Sequence, residues 1–125
     1  MLKQILNGRV LTPQGWLEGG SVIIDGNKIL AVSNSDLHIV DAEIIDAKGC
    51  YVVPGGVDLH VHGGGGRDFM EGTEEAFRVA IKAHMKHGTT SIFPTLSSST
   101  VPMIEAACET CEKLMAEENS PCLLY

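Results

Sequence analysis

The stretch Pro54-Gly-Gly-Val-Asp-Leu-His-Val-His-Gly-Gly-Gly-Gly-Arg67 decides the reading of this chain. It reads as an apolar strand that ends in two histidines and breaks at once into a glycine loop. Successive side chains on a strand point to opposite faces. His60 and His62 therefore share one face, with Asp58, and Val57, Leu59 and Val61 are expected on the other, buried face. Two imidazoles two residues apart on a rigid strand can reach one metal ion together. A buried polar group without a partner costs about 1–3 kcal/mol, so an apolar strand carries histidines where something binds them.

Around this stretch the pattern changes from one kind of element to another. Residues 1–53 are β-like. Lys3–Leu11 reads as a strand with a bend at Asn7-Gly8, and Ser21–Val32 as a hairpin turning at Gly26-Asn27. Glu43–Pro54 reads as a turn-linked pair of short strands bending at Gly49, which completes a small antiparallel layer. Beyond Pro54, Val57–Val61 is a strand. Thr73 caps a helix whose first turn carries Glu74 and Glu75 and whose apolar spacing runs through Phe77, Ala80, Ile81 and His84. Gly88 stops it, after Lys86 and His87. Thr90–Leu96 is a second strand, and Ser99 or Thr100 caps a second helix that tolerates Pro102 in its first turn and runs to about Glu118. Asn119-Ser-Pro connects it to a third apolar strand in 121–125. Strand, helix, strand, helix, strand predicts a parallel α/β sheet, with a domain boundary near Pro54 separating 1–53 from 54–125.

Composition narrows the function. The 125 residues are 44% hydrophobic and 20% charged, as in a soluble globular domain. Net charge is −7 with nine Lys and Arg spread along the chain, so no basic stripe exists for nucleic acid. The N-terminus turns polar too soon for a signal peptide, and no apolar run approaches the roughly 20 residues of a membrane span. A cytoplasmic protein with no membrane or nucleic-acid partner is the expectation. Cys50, Cys108, Cys111 and Cys122 are expected as free thiols. Cys108 and Cys111 form a C-x-x-C inside a helical pattern with Ile104, Ala107, Leu114 and Met115, which favours buried helix thiols over a zinc or redox site.

Active sites of parallel α/β folds lie at the carboxyl ends of strands, where His60 and His62 fall. A catalytic metal commonly takes about three protein ligands and keeps a position open for water. Asp68 and Glu71 lie beyond the loop and do not match as a third ligand. His84, on the apolar helix face, reads as a core histidine, His87 as a helix-end charge and His38 as an exposed residue of the β layer. Gly63–Gly66 could form an anion-binding nest, a hinge or a close-approach loop, with Arg67 as an anion partner. It lacks the Lys and Ser/Thr of a phosphate loop. Ser97–Ser99 stand at the carboxyl end of the second strand, where a substrate would pass.

Asp46-Ala-Lys-Gly-Cys-Tyr-Val-Val-Pro-Gly-Gly-Val-Asp-Leu-His-Val-His62 resembles the entry strand of the metal-dependent amidohydrolase superfamily. Within it, His62-Gly-Gly-Gly-Gly-Arg-Asp-Phe-Met70 together with Gly88-Thr-Thr-Ser-Ile-Phe-Pro-Thr-Leu96 resembles the N-acetylglucosamine-6-phosphate deacetylases. The resemblance implies a (β/α)8 barrel beside a small β-sandwich built from both chain ends. It implies removal of acetate from N-acetylglucosamine 6-phosphate in amino sugar catabolism. It implies a divalent ion, zinc foremost, with iron, manganese or cobalt as alternatives, that lowers the pKa of water. His60 and His62 carry over as metal ligands. The family's His-x-Glu-Gly-Pro-like motif, remaining ligands and proton-moving aspartate belong to later strands, so the catalytic residues are expected downstream of Tyr125. The resemblance also implies a homodimer for the full-length protein.

A full barrel takes roughly 250 residues. The expectation is therefore the N-terminal part of a barrel, two βα units and a third strand, inactive alone and marginal in stability because its sheet edges are open. Two other readings stand beside this one. They are a dihydroorotase- or dihydropyrimidinase-like cyclic amidohydrolase, and a non-catalytic metal-binding remnant.

Overall fold

Polar turns at Pro13-Gln14 and Gly26-Asn27 fold the first third of the chain back on itself twice. They join β1 (Leu2–Thr12), β2 (Gly15–Asp25) and β3 (Lys28–Ser33) into an antiparallel meander. The computed structural model describes residues 1–34, 39–117, 120 and 122–125. His38 and the expected connection around Asn119 and Pro121 lie outside the described residues, as does Glu118. The chain divides into two compact units, Met1–Pro54 and Gly55–Tyr125.

In the first unit, β4 (Glu43–Asp46) and β5 (Tyr51–Val52) do not pair with each other as the expected turn-linked strands would. Both lie parallel along one edge of β1, β4 against Lys3–Leu6 and β5 against Arg9–Val10. The layer is thus mixed rather than antiparallel. The reason sits at Asn7, the predicted bend. Its φ of 57° places it in the left-handed region, and the β1–β2 register shifts between Ile5 and Gly8. A bulge there ends one edge pairing and starts the next. The Asn7 side chain donates to Asp46 Oδ1 (2.9 Å), and its carbonyl accepts from Gly49 N (2.8 Å). Val10, Val22 and Ile23 are buried in this unit. So is Gln4, whose amide donates to Ser21 Oγ (2.9 Å) and accepts from Ile39 N (3.1 Å), so its polar atoms are satisfied.

The second unit holds β6 (Gly56–Val61), a two-residue hairpin of β7 (Gly63–Gly64) and β8 (Arg67–Asp68), a 3-10 turn at Phe69–Glu71, α1 (Glu74–Met85), β9 (Thr89–Pro94), α2 (Val101–Met115) and β10 (Leu123–Leu124). The sheet is parallel with the order β10-β9-β6, as the alternation of elements predicts. Thr73 caps α1, its hydroxyl accepting from Ala76 N (3.3 Å), with Glu74 and Glu75 in the positive first turn. Thr100 occupies the N-cap of α2, but its hydroxyl makes no capping bond. Ser99 Oγ instead approaches Met103 Sδ (3.2 Å).

Both helices cover one face of the sheet. Phe77, Ala80 and Ile81 of α1 and Leu114 of α2 close over Ile92 and Leu124, with Phe69 and Cys122 completing the cluster. Phe69 and Phe77 are fully buried, tilted 56° with centroids 4.8 Å apart. Among the described residues the opposite face is bare. Val57, Ser91 and Leu123 form one cross-strand row on it, and Val57 is 59% and Leu59 70% exposed. All four cysteines are free. Cys122 is buried, whereas in the C-x-x-C Cys111 is half-buried against the core and Cys108 is exposed, so the expectation of buried helix thiols is met only in part at Cys111 and corrected at Cys108. Burial foremost, then Cys108 and Glu112, pushes the Cys111 thiol above its ordinary value. Among the described residues no helix is long and apolar enough to cross a membrane.

Candidate functional site

His60 ends the regular part of β6 and His62 follows it, at the carboxyl end of the strand. Their rings lie together, centroids 5.1 Å apart and edge to face at 85°. Both side chains are exposed on the bare face.

The strand does not keep a period of two along its length. Asp58 pairs with Ile92 and Val61 with Pro94, so Leu59 and His60 together stand opposite Phe93 alone. This is a β-bulge, which inserts one residue and re-aims the side chains beyond it. Asp58 and Val61 consequently both face the helices. Val61 packs against the core, and Asp58 Oδ2 lies 3.9 Å from His84 Nδ1 on α1. The expectation that Asp58 shares the histidine face is corrected, as is the grouping of Val57 and Leu59 with Val61. Asp58 still serves the bulge, because its Oδ1 accepts from His60 N (3.2 Å).

Spreading the strands leaves backbone groups to satisfy, and Thr95 satisfies them. Val61 N–H donates to Thr95 Oγ1 (3.1 Å), and that hydroxyl donates in turn to Phe93 O (3.3 Å). The side chain is thus inserted where a direct ladder bond would run. Thr95 N then donates to Val61 O (2.8 Å), and Phe69 N donates to His62 O (2.9 Å). The residue between the two histidines is held on both backbone groups, and the chain just after them is pinned as well. The sequence reading gives Thr95 no role beyond its place in the second strand. The usable signal was Pro94, which lacks an N–H and leaves the ladder to its neighbour.

Ser97, carried past the end of β9, places Oγ 3.3 Å from His62 Nδ1. This brings together residues 35 apart in sequence. His84 is not part of the pair. Half-buried, its Nε2 is 2.9 Å from Gly63 O, as a satisfied core histidine should be. His87 is exposed beyond α1.

The glycine run makes a tight turn. Gly65 (φ 62°) and Gly66 (φ 83°) take the two positive-φ positions of a two-residue hairpin. A Cβ on Gly63 would sit 2.1 Å from Arg67 O, so the strands of this hairpin approach too closely for any side chain. Of the nest, hinge and close-approach readings, the structure has the last. Arg67 is engaged by protein carboxylates. Its Nε and Nη2 reach Glu71 (2.8–3.0 Å) and its Nη1 reaches Glu75 (3.1 Å), so its charge is already paired within the protein. Glu71 is held below the ordinary carboxylate range, first by Arg67 and then by Asp68 N–H.

Among the described residues no group of three or more His, Cys, Asp and Glu side chains converges as a metal cage. The pair supplies two nitrogen donors of the kind that suit zinc and neighbouring divalent ions. The His62–Ser97 bond occupies Nδ1 and leaves Nε2 as the nitrogen open to a ligand. The residues present fit part of a metal site.

Residues 51–118, which span the histidine strand, both helices and β9, match the amidohydrolase family. The chain belongs to this family. Three relatives show how much of an amidohydrolase it spans. It is 46% identical over 78 residues to a dihydroorotase of Syntrophotalea carbinolica, covering 61% of this chain and 18% of that protein. Its fold matches the N-acetylglucosamine-6-phosphate deacetylase of Pasteurella multocida with a TM-score of 0.87 at 25% identity, over 96% of this chain and 32% of that one. It matches the dihydropyrimidinase of Brevibacillus agri with a TM-score of 0.56 at 36% identity, over 88% of this chain and 24% of that one. The chain thus spans a third or less of the length of each of these amidohydrolases.

Proposed function

We propose that the protein carrying this chain is a metal-dependent amide hydrolase that removes acetate from N-acetyl-D-glucosamine 6-phosphate. The observation that carries this reading is the backbone likeness over 96% of the chain to a deacetylase of that substrate, at a TM-score of 0.87 against 0.56 for the dihydropyrimidinase. His60 and His62 would hold a divalent ion, zinc first. When bound, such an ion lowers the pKa of water and polarises a carbonyl oxygen. This chain's own residues do the holding. Asp58 and Thr95 shape the bulge that sets the two imidazoles side by side, and Ser97 engages the far nitrogen of His62. The remaining ligands and the acid–base carboxylate would come from the two thirds or more of the relatives' length that this chain does not span. The bare face with Val57 and Leu59 would then be covered by further strands.

A second reading is favoured by a different observation. The 46% identity to a dihydroorotase supports hydrolysis of a cyclic amide. The two readings separate on substrate. Protein expressed from the complete reading frame should release acetate from the phosphosugar and leave dihydroorotate and hydantoin intact. Ring opening without deacetylation would establish the second reading instead. His60→Ala combined with His62→Ala should reduce bound metal and turnover to below about one-hundredth of the parent, since removing even a supporting residue of such a site costs about 10–100-fold. Parental metal content in that variant would refute the ligand assignment.

A further inference from the structure

We infer that Ser97 is a positioning residue for His62, presenting Nε2 and not Nδ1 to the ion. This rests on the proposed reading of His62 as a ligand. An imidazole offers two nitrogens on opposite sides of its ring, and the bond made by one decides which is free for a metal. A half turn about the ring's last torsion, which has a broad two-fold preference, would exchange them. His62 is exposed at a strand end, so packing alone does not choose. Ser97 Oγ, 3.3 Å from Nδ1, does.

The placement of Ser97 follows from the same device that shapes the strand. Thr95 is tied to Val61 through both its amide and its hydroxyl, and Val61 is the residue directly before His62. Two steps past Thr95, Ser97 therefore arrives beside the His62 ring. Its hydroxyl can accept as well as donate, so it can accept a hydrogen bond from the Nδ1–H that a ring ligating through Nε2 must carry. Ser98 and Ser99 belong to the same hydroxyl run, but Ser99 turns to Met103, and the contact with the histidine is made by Ser97.

The test uses protein expressed from the complete reading frame, labelled with 15N-histidine and loaded with zinc. The parent should show a slowly exchanging Nδ1–H signal from His62. Ser97→Ala should lose that signal to exchange with water and bind zinc about 10–100-fold more weakly by chelator competition. Its metal-free melting temperature should be unchanged. Ser97→Thr should restore both the signal and the affinity, and Ser98→Ala should change neither. Parental signal and affinity in Ser97→Ala overturn the inference, as does an affinity loss that Ser97→Thr fails to restore. A His62→Ala variant with parental zinc affinity overturns the ligand assignment beneath it, so the two failures are told apart.

Discussion

Replacing Thr95 with valine removes the hydroxyl that bridges β6 and β9 while keeping the branched shape of the side chain. The bridge has two bonds, from Val61 N–H into Oγ1 at 3.1 Å and from the hydroxyl out to Phe93 O at 3.3 Å. Thr95 is half-buried, so water does not freely replace the lost partner. A donor stranded in this way costs about 1–3 kcal/mol. If that cost falls on the local opening of the bulge, the amide of Val61 should exchange with solvent about 5–150-fold faster, at about 1.4 kcal/mol per factor of ten. Hydrogen exchange read at Val61 is the assay, because it reports the bulge and not global unfolding. Thr95→Ser keeps the hydroxyl and should remain close to the parent. Because Val61 separates His60 from His62, Thr95→Val should also weaken metal binding. A Val61 amide that exchanges at the parental rate in Thr95→Val would refute the bridge as the element that holds the histidine strand.

Two further expectations follow from the helices. In a mass-spectrometric time course with a thiol alkylator at pH 8, exposed Cys50 and Cys108 should be modified first. Cys111 should lag, its thiol raised by burial, and Cys122, also raised by burial, should come last; labelling of Cys122 as fast as Cys108 would contradict the core. Glu74 pairs with Lys113 and Glu117 with Arg78, linking α1 to α2, and each carboxyl is held below its ordinary value by that partner first. A depressed folded value means that the stabilisation is present above the unfolded carboxylate pKa of about 4.3 and is lost as pH falls through the folded one. Acid titration followed by circular dichroism should show this loss below about pH 4, small because the pairs are solvent-exposed, and reduced in Arg78→Ala. An acid transition unaltered in both midpoint and size by Arg78→Ala would count against it.

Much of this architecture is legible before any coordinates. Turn chemistry at Gly26-Asn27, the Thr73 cap with its two glutamates, the helical spacing through Phe77 and Ile81, and Gly88 as a stop are local signals, and the structure forms each of them. The pairing of β4 and β5 is not local. Two short strands joined by a glycine bend look like a hairpin, yet both find their partner in β1, more than thirty residues earlier. The exposure of Cys108 is of the same kind. A helix of fifteen residues shows which positions share a face, but its packing partners decide how wide the buried stripe is.

For the candidate site, the H-x-H spacing on a strand that breaks into glycines was enough to place two imidazoles on one face, and they lie there. What surrounds them was settled by tertiary structure. Alternation along a strand assigns faces only while the register is unbroken, and one inserted residue reverses the assignment for everything beyond it. The bulge opposite Phe93 is such an insertion. It turns Asp58 away from the histidines toward His84, and it opens the gap that Thr95 fills and that brings Ser97 within reach of His62. The chain alone thus determined which two candidate groups stand side by side, because residue type and short spacing are properties of the chain. Their neighbours were decided by pairing between segments more than thirty residues apart, which depends on where a ladder slips and is written in no single segment.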